Sequence, residues 1–277
     1  MSRTMSAAAV LAAVLLASVQ AALAQPQHPR VLGVNPLHGG GFALYQMKCG
    51  ACHGEEGRGD GPLAHLLVPR PADFSRGMFK LRSTPPGCLP LDTDIAHSIT
   101  QGLHGSAMRP FGLELTPREL DEIVKQVRAL SPRFFTEPAP TPVPLPAEPG
   151  PTVERIVKGR KVYERESCAA CHGDFGRGNG GAASDLTDAR GLSIRPHDFT
   201  LWGGVKAGRR PADFYRSLTT GLDGTPMHDF SNLSEEDRWA LVYYLISISE
   251  QPAPDVKPDG SFRSLGRASV MGDGGRE

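Results

Sequence analysis

The sequence has no excess of charge of either sign: 30 Lys and Arg residues balance 30 Asp and Glu residues in a chain of 277. This balance gives no support to a nucleic-acid partner or a polybasic membrane surface. Aromatic residues make up only 6% of the chain, and past residue 24 no apolar run is long enough to cross a membrane. The length suggests about two domains. Each would have few large side chains with which to build its own core.

Residues 1–24 have the pattern of a secretory signal peptide. Arg3 charges the start, residues 7–16 are apolar, and Ala22 and Ala24 give a small-x-small cleavage site. An uncleaved anchor helix is the alternative, although the apolar stretch is barely long enough to span a bilayer. The sequence therefore predicts an exported, periplasmic protein, with no membrane span in the mature chain.

One pentapeptide occurs twice, at residues 49–53 and 168–172, with the pattern Cys-x-x-Cys-His. This pattern is typical of c-type haem attachment. Two thiols at this spacing can form thioethers with the haem vinyl groups, and the adjacent His then becomes the proximal iron ligand. The predicted haem-binding residues are Cys49, Cys52 and His53 in the first copy and Cys168, Cys171 and His172 in the second.

A methionine follows the first cysteine of each motif after the same number of residues. Met108 lies 59 residues after Cys49, and Met227 lies 59 residues after Cys168 (108 − 49 = 227 − 168 = 59). A sixth iron ligand has to arrive at a fixed place on the far side of the haem, so the equal count makes these methionines the candidate ligands. Met78 and Cys88 are weaker alternatives, because neither has a counterpart in the second half. A histidine is a further alternative sixth ligand, but none recurs at equivalent positions in both halves; the candidates are His65, His97, His104, His197 and His228.

Other chemistry fits the cysteines less well. A four-thiolate zinc site would join cysteines on opposite sides of a proline-rich segment and would leave both histidines and both methionines unexplained. A thioredoxin-type redox pair needs a βαβ context that the sequence lacks.

The repeat extends beyond the motifs. Glycine-rich runs at residues 54–61 and 173–180 predict loops that approach another group closely. Their arginines, Arg58 and Arg177, are candidates either to neutralise haem propionates or simply to solvate the loop. A phosphate-binding loop is disfavoured, since no strand precedes either run and no Gly-Lys-Ser/Thr follows.

Two helices are predicted later in each half. Apolar residues one turn apart indicate the first of them, and a glycine, Gly102 or Gly221, is expected to end it. Capping signatures at Thr116 and Ser234 predict the start of an amphipathic closing helix. The apolar residues that match between the halves are Ile95, Ile99 and Leu103 with Phe214, Leu218 and Leu222.

The dense prolines of residues 132–151 predict a stiff, extended linker without helix or sheet. It has almost no apolar residues after Pro138 with which to dock, so we expect two separable domains at residues 25–131 and 152–250. Residues 251–277 lack an apolar period and predict a disordered tail.

Each half resembles a class I cytochrome c domain in its order of short helix, Cys-x-x-Cys-His, glycine-rich loop, helix, methionine loop and closing helix. The resemblance covers residues 41–131 and 153–249 and extends to tandem dihaem cytochromes c of bacterial electron-transfer chains. It implies an all-α fold, two covalently attached haem c groups, and iron ligation by His53/Met108 and His172/Met227. The family often has Met-Pro, whereas Arg109 follows Met108 and His228 follows Met227.

Iron held by His and Met has no open position for a substrate and passes single electrons. The sequence therefore predicts an electron carrier rather than an enzyme, with redox proteins such as a dehydrogenase, an oxidase or another cytochrome as partners. The alternatives are a dihaem oxidoreductase, peroxidase-like or acting on sulfur compounds with Cys88, and a cytochrome subunit of a larger dehydrogenase or oxidase complex.

Overall fold

A computed structural model describes residues 40–201 and 205–249, together with the backbone of two short strands in the tail. The predicted signal peptide at residues 1–24, the segment that follows it and most of the tail lie outside the described residues. Across the described part of the chain, no helix is both long and apolar enough to cross a membrane.

The first half is helical, as the sequence predicts. A π-helical turn at Gln46–Gly50 joins the first two helices, and a short 3₁₀ turn follows at Ala64–Leu66. The helices are α1 (Gly40–Tyr45), α2 (Ala51–His53), α3 (Asp92–Gln101), α4 (Pro117–Ala129) and α5 (Arg133–Thr136).

The second half repeats this order with longer elements. Ser167, with a φ of 56°, interrupts the helical backbone just before the second cysteine motif, whereas the first half has a π-helical turn at this place. Tyr45 and Tyr163 are equivalent, and the second half has one more residue between this tyrosine and the first cysteine. The helices are α6 (Val153–Arg165), α7 (Ala169–His172), α8 (Pro211–Thr220) and α9 (Glu235–Ser247).

The predicted helix signals are confirmed. The Thr116 hydroxyl accepts the N–H of Glu119, and the Ser234 hydroxyl accepts the N–H of Asp237, which caps α4 and α9. Gly102 and Gly221 end α3 and α8 with φ values of 66° and 64°. In this left-handed region glycine avoids the strain that a Cβ would cause.

Each half has its own apolar core. Ile123, Val124 and Val127 of α4 are buried in the first, and the matching face of α9 is buried in the second. The first helix of each half crosses the closing helix at a glycine. A Cβ at Gly41 would lie 2.7 Å from the Glu122 carbonyl oxygen, and one at Gly159 would lie 2.0 Å from that of Ala240. Both crossings therefore need glycine.

The linker differs from its prediction in two respects. Its first residues form α5, because the close proline spacing begins only at Pro138. It also contacts both halves: the Val143 N–H donates to the Ser83 carbonyl oxygen at 2.7 Å, and the Tyr243 hydroxyl donates to Glu148 at 2.8 Å. In the tail, Asp255–Val256 and Phe262–Arg263 form an antiparallel strand pair.

The two halves differ in length at two places, and the differences cancel. The Phe74 N–H donates to the Gly57 carbonyl oxygen as the Phe199 N–H donates to that of Gly176, so Phe199 corresponds to Phe74 at an offset of 125 (199 − 74 = 125). Equivalent residues before and after these segments differ by only 119 in residue number, as Cys168 does from Cys49 and Met227 from Met108. The second half thus has six extra residues within 177–198 and the first half six extra within 75–93 (125 − 119 = 6). The equal cysteine-to-methionine count is the sum of two opposite changes.

Each of these segments contacts the other half. From the 75–93 segment, Arg82 donates to the Thr220 carbonyl oxygen at 2.8 Å and forms an ion pair with Asp223. From the 177–198 segment, Arg190 donates to the Pro71 carbonyl oxygen at 3.0 Å. The extra residues of each half therefore belong to the contact between the halves.

Candidate haem-binding sites

Both cysteine motifs are held by a buried tyrosine. The Tyr45 hydroxyl donates to the carbonyl oxygen of Gly54 at 3.0 Å, and the Tyr163 hydroxyl donates to that of Gly173 at 2.5 Å. These glycines directly follow the two motif histidines. Burial raises the pKa of both tyrosines, so both hydroxyls stay protonated and act as donors.

The two motif histidines have the same environment. The Nδ1–H of His53 donates to the Ala72 carbonyl oxygen at 3.2 Å, and that of His172 donates to the His197 carbonyl oxygen at 3.1 Å. Phe74 stacks on the His53 ring at 4.5 Å, and Phe199 lies 4.7 Å from the His172 ring. This fixes the ring orientation and leaves Nε2 as the atom able to bind a metal.

Both imidazoles are favoured in the neutral form. Burial lowers the pKa of His53 and His172, and the bond to a backbone carbonyl only partly opposes this effect. A neutral imidazole with Nδ1–H bonded to a carbonyl is the form in which histidine acts as a metal ligand.

The methionine loops also share one backbone arrangement. Leu103 N–H donates to the Met108 carbonyl oxygen at 2.8 Å, and Leu222 N–H donates to that of Met227 at 2.9 Å. A hydroxyl two residues before each methionine, on Ser106 or Thr225, accepts the methionine N–H at 3.2 Å. The two loops therefore have the same local geometry although neither has a proline directly after its methionine.

The first cysteine of each motif and the candidate methionine pack against the same apolar core. Cys49 and Met108 pack against the apolar cluster of the first half, and Cys168 and Met227 against that of the second. Burial raises the pKa of the Cys49 and Cys168 thiols to about 11. The donor set of two thiols, one neutral imidazole and one thioether in each half fits a covalently attached haem.

The alternative ligands lie in the contact between the halves. The Met78 side chain lies within 4 Å of the position that a Cβ of Gly224 would take, beside the methionine loop of the second half. Cys88 lies in a turn closed by its own N–H bond to the Pro85 carbonyl oxygen at 3.1 Å, next to the Gly87 N–H that donates to Asp223.

Arg58 of the first glycine-rich loop forms an ion pair with Glu56.

Known proteins match both halves. The family model described as cytochrome C oxidase, cbb3-type, subunit III matches residues 38–125 and again residues 154–245. The chain belongs to this family. It is a dihaem c-type cytochrome with two cytochrome c domains in tandem, and the all-α prediction is confirmed.

Two similar proteins add detail. This chain is 30% identical over 172 residues to the cbb3-type cytochrome c oxidase subunit CcoP of Azospirillum sp. (strain B510), and the aligned region covers 61% of this chain and 49% of that relative. The chain thus spans about half the length of that curated relative. It is also 40% identical, with a TM-score of 0.72, to a chain of the reducing HAO-like protein complex of Kuenenia stuttgartiensis, covering 76% of this chain and 95% of that one.

Sequence reasoning identified the candidate ligands but not the residues that join the halves. Arg82, Arg190 and Asp223 lie outside the repeated motifs, so no periodicity marks them. The available signal was the change in offset from 119 to 125 at Phe199, which locates the extra residues of each half.

Proposed function

We propose that this protein is an exported, periplasmic cytochrome that transfers single electrons between redox partners through two haems with His/Met ligation. The proposed ligands are His53 and Met108 in the first half and His172 and Met227 in the second. Support for export comes from the signal-peptide pattern of residues 1–24.

The main support for His/Met ligation is that the same bonds hold the histidine and the methionine loop in both halves. In each, the imidazole Nδ1–H is tied to a backbone carbonyl and the methionine N–H to a hydroxyl. This shared arrangement supports equivalent tasks for the histidine and the methionine in the two halves.

The residues of the chain then have defined tasks. The cysteine pairs hold the haem covalently, the backbone carbonyls of Ala72 and His197 orient the imidazoles, and Tyr45 and Tyr163 fix the end of each motif. Bound haem supplies an iron that cycles between the ferric and ferrous states, and a thioether ligand favours the ferrous state. With two protein ligands on each iron, no position is left for a substrate.

A permanent partner is a second candidate, favoured by the comparisons. Both relatives are named as parts of assemblies, one an oxidase and the other an HAO-like complex. We propose that the chain serves as an electron-transfer subunit of such an assembly. Purification under mild conditions should then recover it with a redox enzyme, whereas a free carrier would be recovered alone.

Mass and spectroscopy test the proposal. The protein is expressed in a host that exports it and attaches haem to it. The mature chain should begin at Gln25 and exceed the polypeptide mass by two haem groups. Near-infrared magnetic circular dichroism of the oxidised protein should show two His/Met signatures. One haem, a high-spin iron or a His/thiolate signature would contradict the proposal, and the last two would favour the oxidoreductase.

A further inference from the structure

A cavity of about 240 Å³ lies where the two halves meet. Equivalent faces of α3 and α8 line it from opposite sides: Ser98 corresponds to Ser217 and His97 to Arg216, both at the offset of 119. Leu103 also lines the cavity, and its N–H holds the Met108 carbonyl oxygen. The cavity is therefore adjacent to a methionine loop.

The described wall of this cavity is strongly basic, with Asp94 as its one carboxylate. Three of its cations are already paired: Arg82 with Asp223, and Arg210 and Arg216 with Asp213. The cationic residues of the wall are Lys80, Arg82, Lys206, Arg210 and Arg216.

Lys80 and Lys206 are different. Within residues 40–201 and 205–249, neither lysine forms an ion pair, although both are half-buried. Burial lowers the pKa of both, and the charge of Lys80 lowers that of Lys206 further. Asp188 attracts Lys80, but the Asp188 carboxylate is already bonded to Arg190 at 3.1 Å.

Asp94 does not compensate for these lysines. Its Oδ2 accepts three hydrogen bonds, from the N–H and hydroxyl of Ser83 and from the N–H of Leu91. Two ammonium groups that are partly withdrawn from water beside one cavity are stabilised by a negative partner. Among residues 40–201 and 205–249, no carboxylate forms an ion pair with either lysine.

We propose that this cavity binds an oxyanion between Lys80 and Lys206, and that the anion links the two halves of the molecule. The ligand class is a carboxylate or phosphate. Two sources share this chemistry: a propionate of a covalently bound haem, and a free oxyanion from solution. Only the first source rests on the proposed function, since the cavity and its lysines stand without it.

The test compares the wild-type holoprotein with Lys80→Met, Lys206→Met and the double variant. Lys125→Met is the matched control, because Lys125 is exposed on α4 and its ion pairs are with Asp121 and Glu122 of the same helix. Melting temperature is measured against sodium phosphate at constant ionic strength. The reduction potential of each haem is measured without phosphate.

A free oxyanion predicts that phosphate raises the melting temperature of the wild type and of Lys125→Met in a saturable way, but not that of the double variant. A haem propionate predicts instead that the lysine variants melt lower at every phosphate concentration. The midpoint potential of one haem should then fall, because a nearby positive charge favours the ferrous state.

If phosphate has no effect and all variants match Lys125→Met in stability and potential, the proposal is wrong. The haem content of the same samples reports separately on the proposed function. A chain without haem would contradict that function, while the phosphate series would still test the cavity.

Discussion

Arg82 of the first half and Asp223 of the second form an ion pair of 2.8 Å in which the arginine side chain is fully buried. The same guanidinium donates to the carbonyl oxygens of Thr220, Phe79 and Pro85, so each of its nitrogens has a partner. Asp223 also accepts the Gly87 N–H at 3.1 Å. The pair is thus the centre of a hydrogen-bonded contact between the two cytochrome domains.

Replacing Arg82 should weaken this contact. We expect Arg82→Met to destabilise the holoprotein by about 3 kcal/mol, because one partner of a buried pair is lost and the Thr220 carbonyl is left without a donor. Urea unfolding followed by circular dichroism measures the change. Arg128→Met is the control: its pair with Asp92 is exposed, so it should cost less than about 1 kcal/mol. Equal losses in both variants would contradict the assignment.

The helix crossing at Gly159 gives a second prediction. Gly159→Ala should destabilise the second half by about 3 kcal/mol, because its Cβ would overlap the Ala240 carbonyl. Thermal melting with the haem of that half as the probe measures the effect. Gly40→Ala is the matched change at an open position, and we expect it to be neutral or slightly stabilising. A tolerated Gly159→Ala would show that α6 and α9 do not pack this closely.

Replacing either methionine tests the ligand assignment. Met108→Ala should remove the methionine-to-iron absorption band of one haem and lower its potential, since the thioether no longer stabilises ferrous iron. Met227→Ala should do the same to the other haem. Met78→Leu serves as control and should leave both bands in place. If Met108→Ala left both haems spectrally intact, another residue would have to be the ligand.

Asp237 predicts a pH dependence. Its hydrogen bonds to Lys158 and Arg165 lower the pKa of its carboxyl below the ordinary value of 3.8. Its stabilising contribution is therefore present above about pH 4 and disappears as pH falls through the folded-state pKa. We expect Asp237→Asn to cost roughly 1 kcal/mol at pH 7 and much less at pH 2.5, measured by urea unfolding at both values. Glu236→Gln, at a more exposed partner of Lys158, should change little at either pH.

The sequence predicted the elements that repeat. Helix caps at Thr116 and Ser234, glycine ends at Gly102 and Gly221, and the apolar faces of the closing helices all follow from local rules, and the structure confirms them. The residues at the two sites were identified in the same way, through motif and spacing. Their ligation and the expected independence of the two domains stay predictions.

The contact between the halves could not be predicted in this way. Arg82 and Asp223 are 141 residues apart (223 − 82 = 141), and no local pattern pairs them. The linker composition argued against docking, yet Val143 binds through its backbone N–H, which composition does not reveal. Lys80 and Lys206, which have no ion-pair partner in the part of the chain that the structure describes, are likewise brought to one cavity only once both halves are in place.

The six extra residues in each half have a consequence for the order of the domains. Arg82 in one added segment needs the Asp223 of the other half, and Arg190 in the other added segment needs the Pro71 carbonyl. A tandem of two first halves would have two copies of Arg82 and no Asp223, and a tandem of two second halves would have the reverse defect. The duplicated domains are therefore no longer interchangeable, because each carries contact residues whose partners occur only in the other.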